Sequence, residues 1–176
     1  MIKKNFKKKS KVLIFVLAYN AEKTISETIK RLPLSDKNYD LEILIVDDEK
    51  DICFLISELL KDENYITVSA NNSKEALKEF SLFNPDLIIL DVWLGDSDLD
   101  GIELLKKFKK FDPFIPIIII SGHGTVDMAV NAIKFGAYDF LEKPFNSYKL
   151  VVLLKRAIEN ANLIKENCFI SSSTII

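Results

Sequence analysis

From Glu42 onward, short apolar runs alternate with longer stretches of helical period: EILIV then DICFLISELLKD, ITVSA then SKEALKEFSLF, DLIILD then GIELLKKFKKF, IPIIII then VDMAVNAIKFG, YDFLEK then SYKLVVLLKRAIENA. The runs are β-branched and apolar at consecutive positions, as in a parallel sheet covered on both faces. Between them lie one-sided patterns such as Val126, Ala129, Val130 and Ile133, with Gly136 placed to end that helix. Consecutive β-α units with right-handed crossovers predict a doubly wound α/β fold around a five-stranded parallel sheet.

Ligands of such sheets bind beyond the carboxyl ends of the strands. That gives a place to LEILIVDDEKD, an apolar run that stops in Asp47, Asp48 and Glu49. Asp91 closes the third strand, Ser121 follows the fourth and Lys143 follows the fifth. Converging carboxylates repel one another unless a cation sits among them, and a hard divalent ion with oxygen ligands, Mg2+ above all, suits that place. Asp91 is then a candidate nucleophile toward a phosphoryl group, with the Lys143 ammonium and the Ser121 hydroxyl meeting its oxygens. Singly, each residue has a plainer explanation: a strand-ending Asp caps the next helix, and Ser-Gly makes a turn. Their occurrence together at one end of consecutive strands favours a site.

Twenty-four basic and twenty-six acidic residues give a net charge of −2, so the chain as a whole has no bias toward nucleic acid or membrane. Lys3, Lys4, Lys7, Lys8, Lys9 and Lys11 form a basic leader over residues 1–11, expected to be solvated and disordered. With the VLIFVLAY that follows, it also resembles a short secretory signal, with Ala18 and Ala21 near a cleavage site. No segment reaches the ~20 apolar residues of a membrane span. Cys53 and Cys168 lack the spacing of a disulfide framework or a zinc site, and free thiols in a reducing cytoplasm are expected.

VDDE at the first strand end, LIILD at the third, ISGHG at the fourth and EKPF at the fifth resemble the receiver domain of two-component response regulators over residues 42–162. ISGHGTVDMAVNAIKFGAYDFLEKPF and DVWLGDSDLDG are similar to receivers of the NtrC/NtrX nitrogen-regulation branch. The resemblance implies a flavodoxin-like sheet of strand order 2-1-3-4-5. It implies that Asp91 accepts phosphate from a sensor histidine kinase, with at most slow self-phosphorylation and dephosphorylation and no enzyme activity beyond that. It further implies Mg2+ bound by Asp48, Asp91 and the Trp93 backbone carbonyl, with Asp47 helping through water, and Ser121 and Lys143 on the phosphoryl group. The Lys143-Pro144 bond is expected to be cis. Phe140 falls at the switch aromatic position, and its lack of a hydroxyl means that any switch acts through packing. Trp93 and His123 flank the site as modulators of water access. The LGDSDLDG loop is longer than in many receivers and lacks their proline.

The implied output is contact with a downstream protein, or homodimerisation, through the fourth helix, fifth strand and fifth helix. Asp127, Asn131 and Lys134 are the expected exposed positions of the fourth helix, and direct nucleic-acid binding is not expected. Upstream, KVLIFVLAYNAEKTISETIKRLP resembles the opening strand, AYN turn and helix of family 2 glycosyltransferases, whose second strand also ends in VDD. Leu17 replaces the proline usual there, and EKDICFL replaces the stretch that holds a sugar nucleotide. The DSD and DLD triplets near Asp98 are read as turn residues. The expected organisation is thus a leader to residue 11, a strand-helix extension over 12–40, a receiver over 41–162 and a tail over 163–176. The alternatives are an inactive chimeric or truncated fragment with a residual glycosyltransferase-like start, and an Asp-nucleophile phosphatase of the haloacid dehalogenase type. The latter wants a second Asp where Trp93 stands.

Overall fold

The computed structural model describes residues 41–122 and 124–172. The leader, the strand-helix extension over 12–40 and the modulator position His123 lie outside the described residues. The elements follow in strict alternation: β1 Glu42–Val46, α1 Lys50–Asp62, β2 Ile66–Ala70, α2 Ser73–Phe83, β3 Leu87–Asp91, α3 Gly101–Phe111, β4 Ile117–Ser121, α4 Val126–Lys134, β5 Asp139–Glu142 and α5 Ser147–Ser172. The strands form one parallel sheet in the order β2-β1-β3-β4-β5, the order expected.

The lack of alternation in the strands has a direct cause. Leu44, Val46, Ile88, Leu90, Ile117 and Ile119 pack on one side with Ala76, Leu104, Leu105, Phe108 and Ala132 from α2, α3 and α4. Ile43, Ile45, Leu87, Ile89, Ile118 and Ile120 pack on the other with Ile56, Leu60, Leu150, Leu154 and Ala157 from α1 and α5. Both faces of β1, β3 and β4 are therefore dry, and each buried Leu or Ile side chain contributes about 1.5–3 kcal/mol.

Helix starts are local chemistry. Asp100 caps α3 by accepting the Glu103 N–H at 2.8 Å, while the Glu103 carboxylate accepts the Asp100 N–H at 3.2 Å. Both orphan donors are satisfied reciprocally. Asp100→Ala is expected to lower unfolding free energy by about 1 kcal/mol in urea titrations. The Asn72 and Thr125 side chains cap α2 and α4 by accepting the Glu75 N–H and the Met128 N–H.

The apolar stripe of α4 faces the other way from the sequence-based expectation. Val126 is 80% exposed, Val130 44% and Ile133 47%, while Ala132 is buried and Met128 packs against the core. A short helix meeting the sheet through a fully buried alanine approaches closely on that line and leaves its larger side chains outside. Asp127, Asn131 and Lys134 are exposed as expected. The last helix also continues to Ser172, past the expected boundary at residue 162. No helix among the described residues is long and apolar enough to cross a membrane.

Candidate phosphoryl-acceptor site

Four side chains meet at the carboxyl edge of the sheet, each delivered by the end of a strand. Asp47 follows β1 and is fully buried; its Oδ1 accepts the Glu49 N–H at 3.0 Å and its Oδ2 accepts the Lys143 ammonium at 2.7 Å. Asp91 ends β3, is 4% exposed, and its Oδ2 accepts the same ammonium at 3.2 Å. Lys143, just beyond β5, also lies 3.6 Å from Glu49. Asp48 stands at the exposed mouth, and oxygens of Asp47, Asp48 and Asp91 all lie within 4.8 Å of one another.

Charge in this cluster is unbalanced. Burial, and then the neighbouring Asp47 charge, push the Asp91 carboxyl up to about 6 against the pull of Lys143. Burial also raises Asp47, although Lys143 and the Glu49 N–H oppose it. Burial alone would lower Lys143, but the Asp47 hydrogen bond and the two carboxylate charges hold it above its ordinary value and keep it cationic. One ammonium is shared by three carboxylates, and the buried Asp91 Oδ1 has no hydrogen-bond partner among the described residues. An all-oxygen donor set with an orphaned buried oxygen and surplus negative charge fits a hard divalent cation.

A stability consequence follows in the absence of metal. The folded-state value of Asp91 lies above the ordinary 3.8, so the native protein gains stability from its proton below about pH 4 and loses it as pH rises through about 6. Asp91→Asn carries no such charge. Metal-free thermal unfolding should therefore show the variant more stable than the wild type near neutrality, on the order of 2 kcal/mol, with the gap closing toward pH 4.

The remaining expected residues occupy the rim. Ser121, at the end of β4, is buried, and its carbonyl accepts the Lys143 N–H at 2.8 Å. Phe140 on β5 is half-buried, with its ring packed so closely on Gly124 that a Cβ there would lie 2.7 Å from Cε1. Trp93 is 58% exposed beside Asp91. The Lys143-Pro144 peptide is cis, as expected.

Sequence reasoning missed several supporting residues. Gly95, at φ +53°, makes room for Asp48, whose Oδ2 would lie 2.9 Å from an added Cβ. Gly101 sits against the Asp91 carbonyl, and Asn71 and Cys53 both reach the Asp47 carbonyl. The glycine inside an otherwise acidic loop was the one legible signal; nothing in the local sequence pairs Asn71 with Asp47.

The profile of the response regulator receiver domain matches residues 43–155. An NtrX-like response regulator of Rickettsia bellii is 51% identical over 135 residues, covering 77% of this chain and 28% of that protein. The nitrogen assimilation regulatory protein NtrX of Azorhizobium caulinodans is 50% identical over 125 residues, covering 71% and 28%. The chain thus spans about 28% of the length of these relatives. Among solved structures, the receiver domain of NtrX from Brucella abortus aligns at 46% identity with a TM-score of 0.64, covering 66% of this chain and 98% of that one. The carboxylate cluster and its lysine stand inside the matched region, the chain is similar to NtrX-like regulators there, and it belongs to the response regulator receiver domain family.

Proposed function

We propose that this chain is a phosphorylation-controlled receiver in which Asp91 takes a phosphoryl group from the phosphohistidine of a sensor kinase. The observation that carries the reading is the convergence of Asp47, Asp48 and Asp91 at the carboxyl edge of the sheet, with Lys143 on Asp47 and Asp91. An Asp91 carboxylate oxygen attacks phosphorus, the P–N bond to the donor imidazole breaks, and its electron pair stays on that nitrogen. The product is an acyl phosphate on Asp91. Lys143 lies within reach of an Asp91 oxygen, so its ammonium neutralises charge gathering on the transferred group, with no reorganisation needed at the moment of transfer. Ser121, at the neighbouring strand end, offers its hydroxyl to another phosphoryl oxygen.

Asp48, Asp91 and the Trp93 carbonyl would hold Mg2+, with Asp47 acting through water. When bound, the ion supplies Lewis-acid neutralisation of the phosphoryl oxygens. Lys143 and Asp47 keep the acceptor oriented, and Trp93 and His123 govern water access to the acyl phosphate. Phe140 is the switch: its ring bears on Gly124 in the β4-α4 loop, so a shift of Ser121 toward the phosphoryl group is passed on by packing. The exposed Val126, Val130 and Ile133 of α4, with β5 and α5, form the face offered to a downstream protein or a second copy. The receiver reading covers residues 41–162 and a cytoplasmic setting, with no turnover beyond slow loading and loss of its own phosphate.

The reading of the chain as an inactive chimera is not favoured. The expectation of no nucleic-acid contact is not carried forward, since the chain spans about 28% of the regulators it resembles. The test is intact mass after incubation with acetyl phosphate and Mg2+. The wild type gains one phosphoryl group, and loses that gain when the metal is chelated or Asp91 is changed to Asn. No gain in a folded wild type would overturn the proposal.

A further inference from the structure

Asp47 and Asp48 are consecutive, and in a regular strand their side chains would point to opposite faces of the sheet. Both nevertheless reach one cluster, and the chain leaves strand geometry after Val46. The orientation of the peptide between them sets how the two carboxylates are aimed relative to each other.

That peptide is held from outside its own strand. Its carbonyl, that of Asp47, accepts the Asn71 side-chain amide at 2.9 Å and the Cys53 thiol at 3.4 Å. The same amide also lies within hydrogen-bond range of the Cys53 sulfur, at 3.7 Å. The Asp47 N–H donates to the Ala70 carbonyl at 3.1 Å, one residue before Asn71. Asn71 is itself anchored, since its backbone N–H donates to the Glu75 carboxylate at 2.9 Å while the Glu75 N–H donates to the Asn72 side chain at 2.9 Å. The junction also touches the loop that backs Asp48. The Ser73 N–H donates to the Ser97 hydroxyl at 2.7 Å, two residues beyond the glycine packed against the Asp48 carboxylate.

We propose that Asn71 is a positioning residue for the cation site: by fixing the Asp47–Asp48 peptide it aims the two carboxylates together, with Cys53 as a second donor to the same carbonyl. This rests on the receiver reading above. Groups that orient metal ligands typically change affinity tenfold to a hundredfold when removed.

The test uses the full chain in four forms: wild type, Asn71→Ala, Asn71→Leu (which keeps bulk without a donor) and Asn71→Ala with Cys53→Ala. Two readouts are taken, Mg2+ affinity by calorimetric titration and the Glu49 amide proton resonance in metal-free protein, which reports the Asp47 carboxylate through the bond at 3.0 Å. Asn71→Ala and Asn71→Leu should each weaken Mg2+ binding about tenfold and shift the Glu49 resonance, while amides of β3 stay in place; the double variant should weaken binding further. Wild-type affinity together with an unshifted Glu49 resonance would overturn the proposal. If the wild type takes up no Mg2+, the receiver reading fails instead. The Glu49 resonance then still decides the role of Asn71: a shift supports it, and no shift overturns it.

Discussion

Gly101→Ala should cost about 3 kcal/mol or more of unfolding free energy and take phosphoryl acceptance with it. A Cβ at this position would lie 2.0 Å from the Asp91 carbonyl oxygen and 2.8 Å from the Val92 Cα. Both neighbours are backbone, so no side-chain rotation relieves the overlap. The Gly101 N–H donates to the Val92 carbonyl at 2.9 Å, which fastens the start of α3 to the strand end that carries Asp91. Relief must therefore move the helix, the acceptor strand end, or both. Gly122 supplies the comparison: a Cβ there meets nothing within 4 Å, and Gly122→Ala should change urea-unfolding stability by no more than a few tenths of a kcal/mol. Equal losses at the two positions would contradict the packing described for α3.

The second large effect separates electrostatics from folding by its sign. Lys143→Met removes the ammonium shared by Asp47 and Asp91 while keeping an apolar stem of similar length. Phosphoryl acceptance from acetyl phosphate should fall about a hundredfold or more, because a preorganised charge on the transferred group is lost. Mg2+ affinity should rise, since the cation that competes for the same carboxylates is gone. Stopped-flow kinetics and calorimetry read the two effects on one sample. A variant that loses both acceptance and metal affinity has lost its site geometry, and the charge argument would fail.

Much of this was legible in the sequence because the information is local or periodic. Unbroken apolar runs marked both-sided burial, and the residue that follows each run faced the ligand edge by the geometry of parallel β-α units. Asp47, Asp48, Asp91 and Lys143 could therefore be brought together before any coordinates. The α4 stripe was misleading for a physical reason: apolar periodicity shows that a helix has an apolar face, and does not tell whether the protein covers that face. Ala132, the fully buried residue of this helix, carries less hydrophobic signal than exposed Val126. Asn71 was invisible because its role depends on β2 lying beside β1, a pairing that joins positions 24 residues apart. Gly101 was legible as a helix start, yet its function is the absence of a Cβ against a carbonyl that only the fold brings near.

If Asp91 is the residue phosphorylated, chemical trapping locates the phosphoryl group there. Borohydride reduction of the protein loaded with acetyl phosphate and Mg2+ converts an acyl phosphate to homoserine, which peptide mass mapping then locates. One homoserine is expected, at position 91, absent without the phosphodonor and absent in metal-chelated samples. Homoserine at position 47 or 48, or none anywhere in protein that has gained a phosphoryl group, would contradict it.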